Sequence, residues 1–119
     1  MHHRSYRPRV RGKVWIEVNA RFALGDGGVR LLEAIQQSGS IRAAAERVGW
    51  SYRHALAYID NAEQALGKAL VARMRGGNAR GGAELTQEGQ DLVERYGPFR
   101  AAVEQALHRL YDSAFLARM

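Results

Sequence analysis

The sequence predicts a mainly α fold: a winged helix-turn-helix with a short N-terminal strand, a β-hairpin wing and a long C-terminal dimerisation helix. Three observations predict it. SGSIRAAAERVGWSYR (38–53) and its continuation read as two short helices joined by a tight turn. A strand, Gly-rich loop, strand pattern follows at 69–85. An apolar stripe at spacings of 4, 3, 4, 3 and 4 then runs from Leu92 to Leu110. The expected organisation is a disordered basic arm at 1–12, a DNA-binding winged helix at 13–85 and a dimerisation helix at 86–119.

In chain order, Pro8, Gly12 and the arginines of the arm argue against packing there. Lys13 to Asn19 alternates, with Val14, Ile16 and Val18 on one side and Trp15 and Glu17 on the other, as a half-buried strand does. Gly25, Asp26 and Gly27 open a helix whose apolar positions are Val29, Leu31, Leu32 and Ile35, and Gly39 ends it. Ser40 is a good N-cap for the next helix, with Ile41, Ala44, Ala45 and Val48 on one face. Gly49 can take the left-handed conformation that closes a helix. Ser51 caps the following helix, whose stripe is Ala55, Ile59, Ala62 and Leu66 and which Gly67 stops. The small alanines let these two helices pack closely. On the outer face of the second sit Arg53, Ala57 and Asp60, with His54 and Leu56 at its margins.

ALVARM (69–74) and AEL (83–85) flank GGNARGG (76–82) as the strands of a hairpin. Thr86 caps the last helix, expected to run to about residue 115. Its heptad-like seam is Leu92, Tyr96, Phe99, Val103, Ala106 and Leu110. The Leu92 and Tyr96 end can pack on its own domain; the rest calls for a partner helix. Pro98 removes one helical hydrogen bond and disfavours helical geometry at Gly97, so a kink or a break into two helices is expected there.

A chain of 119 residues that is 46% hydrophobic fits one domain with a core. No apolar run approaches a membrane span, and the basic N-terminus has no apolar segment behind it. A cytoplasmic location with no membrane partner is therefore expected. There is no cysteine, hence no disulfide and no thiolate metal site. The net charge of +6 points toward a polyanion. Its distribution is sharper: Arg4, Arg7, Arg9, Arg11 and Lys13 form one acid-free segment, and Lys68, Arg73, Arg75 and Arg80 another. Acids gather later, at Glu84, Glu88, Asp91, Glu94, Glu104 and Asp112.

Catalysis is not expected. His54 and His108 lie on different helices with no nucleophile near them in sequence, and no metal-ligand spacing is present. GGNARGG lacks the Lys and Ser/Thr of a phosphate-binding loop and lies between strands, so it reads as a turn. No cofactor is expected.

LLEAIQQSGSIRAAAERVGWSYRHALAYI (31–59) and LVARMRGGNARGGAELTQEGQDLV (70–93) resemble the N-terminal domain of the molybdate-responsive transcriptional regulators, the ModE family, themselves related to LysR-type winged helices. The GSI start of the motif, the SY opening the recognition helix, the Gly-rich wing and the LT–G start of the last helix carry the resemblance, which spans roughly residues 14 to 115. It implies binding to double-stranded DNA and dimerisation through the helix. The family's C-terminal pair of molybdate-binding β-barrels and its SARN-type segment have no counterpart here, and nothing after residue 86 reads as β. Molybdate sensing by this polypeptide is therefore not implied, and effector sensing would fall to a separate protein.

The leading expectation is a bacterial, sequence-specific transcriptional regulator that acts as a homodimer. Arg53 is best placed for bidentate bonds to a guanine. Ser51, Tyr52 and His54, at the helix N-terminus, would meet phosphates or bases, with packing on its own domain the alternative for Tyr52. Arg42 would touch the DNA backbone, and Arg75, Asn78 and Arg80 would act from the wing. The second reading is a protein-interaction module that forms mixed dimers with another regulator and has no specific DNA site of its own. Affinity of the chain alone for duplex DNA separates the two.

Overall fold

The computed structural model describes residues 8–74 and 82–116. The elements run β1 (Trp15–Val18), β2 (Arg21–Gly25), α1 (Asp26–Ser38), α2 (Ile41–Val48), α3 (Tyr52–Leu66), β3 (Val71–Arg73), β4 (Ala83–Leu85) and α4 (Gln87–Tyr111), closed by a π-helical turn, Asp112–Leu116. The winged helix-turn-helix read from the sequence is thus present.

The core lies where α1, α2 and α3 meet. Leu31, Leu32 and Ile35 of α1 face Ala44 and Ala45 of α2 and Ala55 and Ile59 of α3, and Leu24, Leu70 and Leu85 close it from the strands. Each fully buried leucine or isoleucine contributes about 1.5–3 kcal/mol relative to exposure. Ala44, Ala45 and Ala55 are almost completely buried between these helices.

The N-terminal strand is one half of a hairpin rather than a lone strand. β1 pairs antiparallel with β2 through a two-residue turn, Asn19-Ala20, in which both residues have positive φ (52° and 63°). The turn lacks the glycine that normally signals such a hairpin. The register slips between Ile16 and Glu17, so that Ala23 is an extra residue on β2. That bulge lets Ala23, Leu24 and Gly25 all be buried in succession, where strict alternation would expose the middle one.

The second hairpin pairs Val71 with Leu85 and Arg73 with Ala83. The Ala83 amide donates to the Gly39 carbonyl, so the wing is anchored to the turn between α1 and α2. Thr86 accepts from the Gly89 amide as the N-cap of α4 and donates to the Ala69 carbonyl, tying the start of that helix to the start of the wing. Residues 75–81, the Gly-rich loop, lie outside the described residues.

The break expected at Pro98 is absent: α4 continues through it. The physical reason lies on α1. Asp26 accepts a hydrogen bond from the Tyr96 hydroxyl and an ion pair from Arg100 Nε at 3.2 Å. These two residues straddle Pro98 one turn apart and hold both halves of the helix to one carboxylate. Arg100 also reaches Glu104 at 3.1 Å and donates to the Gly12 carbonyl. Residues 8–12 have no regular secondary structure, yet Gly12 is docked on α4 by that bond and lies against Leu107. Residues 1–7 of the expected arm lie outside the described residues.

The cluster has a pH signature. Burial would raise the Asp26 carboxyl, but Tyr96 and Arg100 outweigh it and hold the pKa below its ordinary value. Burial, then the bond to Asp26, pushes the Tyr96 phenol up to about 12. The unfolded phenol ionises near 10 and the folded one only near 12. The contribution of Tyr96 is therefore complete below pH 10 and is lost as pH rises from 10 to 12. For Asp26 the contribution is present above about pH 4 and is lost as pH falls through the lowered folded value.

Tyr96→Phe should cost about 1.5–3 kcal/mol at neutral pH, and its denaturant-unfolding stability should decline less between pH 10 and 12 than that of the unmodified chain. Equal alkaline slopes in the two would contradict this assignment. Ala20→Gly, which relieves a left-handed alanine, should raise the unfolding free energy by up to about 1 kcal/mol in the same assay.

Candidate nucleic-acid interface

The helix pair α2–α3 is defined by its caps. Ser40 Oγ accepts from the Ala43 amide at 3.1 Å, and Ser51 Oγ accepts from the His54 amide at 3.0 Å. Between the helices Gly49 has φ of 80°, a conformation that any Cβ would strain, and the Trp50 amide bonds back to the Ala45 carbonyl at 2.8 Å. α3 then buries Ala55, Ile59 and Ala62 and exposes Ser51, Tyr52, Arg53, His54, Ala57, Asp60, Asn61 and Gln64. Free amides at its start favour an anion there.

One flank of α3 is aromatic. Trp50 packs edge-on against His54 at 4.5 Å between ring centroids and tilts onto Tyr58 at 5.1 Å; Phe22 of β2 meets Tyr58 at 6.0 Å. The Tyr58 hydroxyl accepts from the Gly25 amide at 2.9 Å, and burial pushes its pKa up. Its ring lies against Gly28, where a side chain would collide with it. Gly27 similarly borders the Trp50 indole. The first turn of α1 is thereby seated against the first half of the recognition helix.

The other flank carries the wing. Glu63 Oε2 accepts from the amides of Leu70 at 2.7 Å and Val71 at 3.1 Å, which orients the start of β3 relative to α3. Arg73 pairs with Asp60 at 3.7 Å, with both side chains about half exposed. Such a surface pair is worth about 0–1 kcal/mol; its consequence is to set a cation beside the outer face of α3 and offset the one carboxylate there.

Ser51, Tyr52, Arg53 and His54 form one contiguous exposed stretch. Arg42, in the first turn of α2, lies over the Tyr52 ring with its guanidinium carbon 4.1 Å from the centroid, so those two share a patch. Tyr52 is partly exposed and packs on this arginine. Arg75, Asn78 and Arg80 lie outside the described residues; the strands that carry their loop emerge beside Asp60. Along α4 the six seam residues are not equivalent. Tyr96 is buried and Leu92 is half-buried on the chain's own core, Val103 and Ala106 are half-buried, and Phe99 and Leu110 are 49% and 67% exposed.

Sequence reasoning counted Arg73 only as part of a basic segment and passed over Glu63 and the packing of His54 with Trp50 and Tyr58. The last had a visible signal, aromatic rings at spacings of four. Glu63 had none, because its partners lie beyond the helix end. Among the described residues no group of three His, Cys, Asp or Glu could hold a metal ion, and no helix is long and apolar enough to cross a membrane.

Residues 28–90 match the model of the bacterial regulatory helix-turn-helix proteins of the lysR family. The chain is 36% identical over 104 residues to the molybdenum transport protein ModE of Azotobacter vinelandii, covering 87% of this chain and 38% of that protein. It is 40% identical over 98 residues to the molybdenum-pterin-binding protein MopB of Rhodobacter capsulatus, covering 82% and 36%. To the transcriptional regulator ModE of Haemophilus influenzae it is 35% identical over 86 residues, covering 72% and 34%. It thus spans little more than a third of the length of these relatives. Among solved structures, the CbnR DNA-binding domain in complex with DNA superposes with a TM-score of 0.58 at 23% identity, over 73% of this chain and 94% of that one, and so shares the fold.

Glu63→Ala should leave two backbone donors without their acceptor, costing about 1–3 kcal/mol. Faster amide exchange at Leu70 and Val71 should accompany the loss. Exchange unchanged at both amides would show that the carboxylate does not orient the wing.

Proposed function

The chain belongs to the bacterial regulatory helix-turn-helix proteins of the lysR family, and we propose that it is a sequence-specific DNA-binding transcriptional regulator that acts as a homodimer. The observation that carries the reading is the contiguous exposed face at the start of α3. There Arg53 enters none of the ion pairs found among the described residues. An unpaired guanidinium on a helix that fits a major groove is suited to bidentate contact with the O6 and N7 of a guanine. Ser51, Tyr52 and His54 lie at the helix N-terminus, where phosphate or base edges are met. Arg42 serves the backbone from α2. In this reading Arg75, Asn78 and Arg80 of the wing loop add backbone or minor-groove contacts. The mixed-dimer reading, in which the long helix binds another regulator, is less favoured, because it leaves the exposed polar face of α3 without a role.

Dimerisation would use the outer part of α4. Phe99, Val103, Ala106 and Leu110 are available, and Phe115, 61% exposed, adds apolar surface in the final π-helical turn, where it stacks on Tyr111. A contiguous apolar strip of this kind is unusual on a monomer. A twofold partner laid along it would bury the strip and present two α3 helices to half-sites about one DNA turn apart.

Binding to duplex DNA should be strongly salt-dependent. If a dimer neutralises about six phosphates, affinity should fall about a thousandfold between 50 and 200 mM salt. Arg53→Ala should cost about 1–3 kcal/mol and relax base preference at one position per half-site. Titrations on sites selected from random duplexes test both, and an equal loss on selected and random DNA would reduce Arg53 to a phosphate contact. Val103→Glu or Leu110→Glu should place a charge in the seam and give folded monomers that bind a palindrome poorly. Light scattering that finds the unmodified chain monomeric at tens of micromolar would refute the dimer.

A further inference from the structure

The aromatic flank of α3 leads to a second basic site. A cleft of about 510 Å³ opens between α1 and α4, and Arg9, Arg11, Arg30 and Arg100 line it beside Asp26, Glu33 and Glu104. Arg100 is committed to Asp26, Glu104 and the Gly12 carbonyl. It offsets one of its two carboxylate partners, so one negative charge remains there, and Glu33 adds a second on the cleft wall. Arg9, Arg11 and Arg30 are exposed and enter none of the ion pairs found among the described residues. Against those two negative charges the three arginines leave a surplus of one positive charge.

The group is also anchored. Gly12 is bonded to Arg100 and lies against Leu107, so Arg11 leaves a fixed point one residue away. Ordering it on a ligand costs less entropy than ordering a free arm.

Its position relates to α3. Asp26 adjoins Gly27, Gly27 borders Trp50, and Trp50 packs on His54 in the first turn of α3. His54 and Asp60 are six residues apart, about 120° around a helix of 3.6 residues per turn. Gly27 and Trp50 thus connect the Asp26 end of the cleft to His54, whereas the wing strand meets α3 through Arg73 and Asp60. A helix lying in a major groove about 12 Å wide has a phosphate strand on either side.

We propose that Arg9, Arg11 and Arg30 are a second backbone-contact site for duplex DNA, beyond the Trp50 side of the first turn of the recognition helix. The proposal rests on the DNA-binding reading above. Phosphate contacts position a protein without reading sequence, so this site adds affinity and salt dependence but no base preference.

The test uses the full chain, with fluorescence anisotropy on a selected site and on a scrambled duplex from 50 to 200 mM salt. The Arg9→Gln/Arg11→Gln double variant should lower the slope of log affinity against log salt by about 0.9 per lost contact, hence about 2 per chain. The loss should be alike on both duplexes, and Arg30→Gln should lower the slope further. Arg9→Lys/Arg11→Lys should keep most of the slope, because a phosphate contact needs the charge. Thermal melts that match the unmodified chain establish that the variants are folded. An unchanged slope in the double variant, with the unmodified chain binding DNA normally, overturns the second site alone. A loss confined to the selected duplex overturns it too, by showing base readout. Absence of any duplex binding by the unmodified chain overturns both this site and the reading on which it rests.

Discussion

Asp26 stands in the first turn of α1 and accepts from two groups of α4, the Tyr96 hydroxyl and the Arg100 guanidinium. The long helix is thereby held against the body of the domain on both sides of Pro98. Arg100 passes the constraint onward to the N-terminal segment through the Gly12 carbonyl. A carboxylate at a helix N-terminus also suits the positive end of the α1 dipole. The charge therefore stabilises α1, sets the path of α4 and seats the chain ahead of β1.

The recognition helix is held at its flanks by different means. On the α1 side the contacts are aromatic and close: Trp50 and Tyr58 fill the space left by Gly27 and Gly28, and the Gly25 amide donates to the Tyr58 hydroxyl. On the wing side one carboxylate, Glu63, takes two backbone amides at the start of β3. Neither arrangement uses the outward face of α3. Apart from Ser51, which caps the helix, and His54, which packs on Trp50, the residues that hold the helix are distinct from those free to meet a partner.

Much of this was legible in the sequence. Ser40, Ser51 and Thr86 all act as N-caps, and Gly39, Gly49 and Gly67 all close helices in the left-handed conformation. β2 was not legible. Asn19-Ala20 lacks the glycine of a typical two-residue turn, and the bulge at Ala23 removes the alternation that would have marked RFALG as a strand. Pro98 does not divide the helix in two, because the local cost of a proline is outweighed by two tertiary contacts one turn apart. The α4 seam, uniform as a spacing pattern, divides in three dimensions into an inner part on the chain's own core and an outer part that is half-buried at Val103 and Ala106 and exposed at Phe99 and Leu110.

By itself the sequence determined the local elements: which segments are helical, where they start and stop, and which face of each is apolar. Those features depend on groups within about four residues of one another, so spacing alone encodes them. Only the tertiary structure decided which charged and aromatic side chains meet. Asp26 and Tyr96 are 70 residues apart, and Arg100 and Gly12 are 88 apart. Such partners are chosen by how the apolar faces pack, since burial draws the helices together and the polar groups at the margins must then satisfy one another.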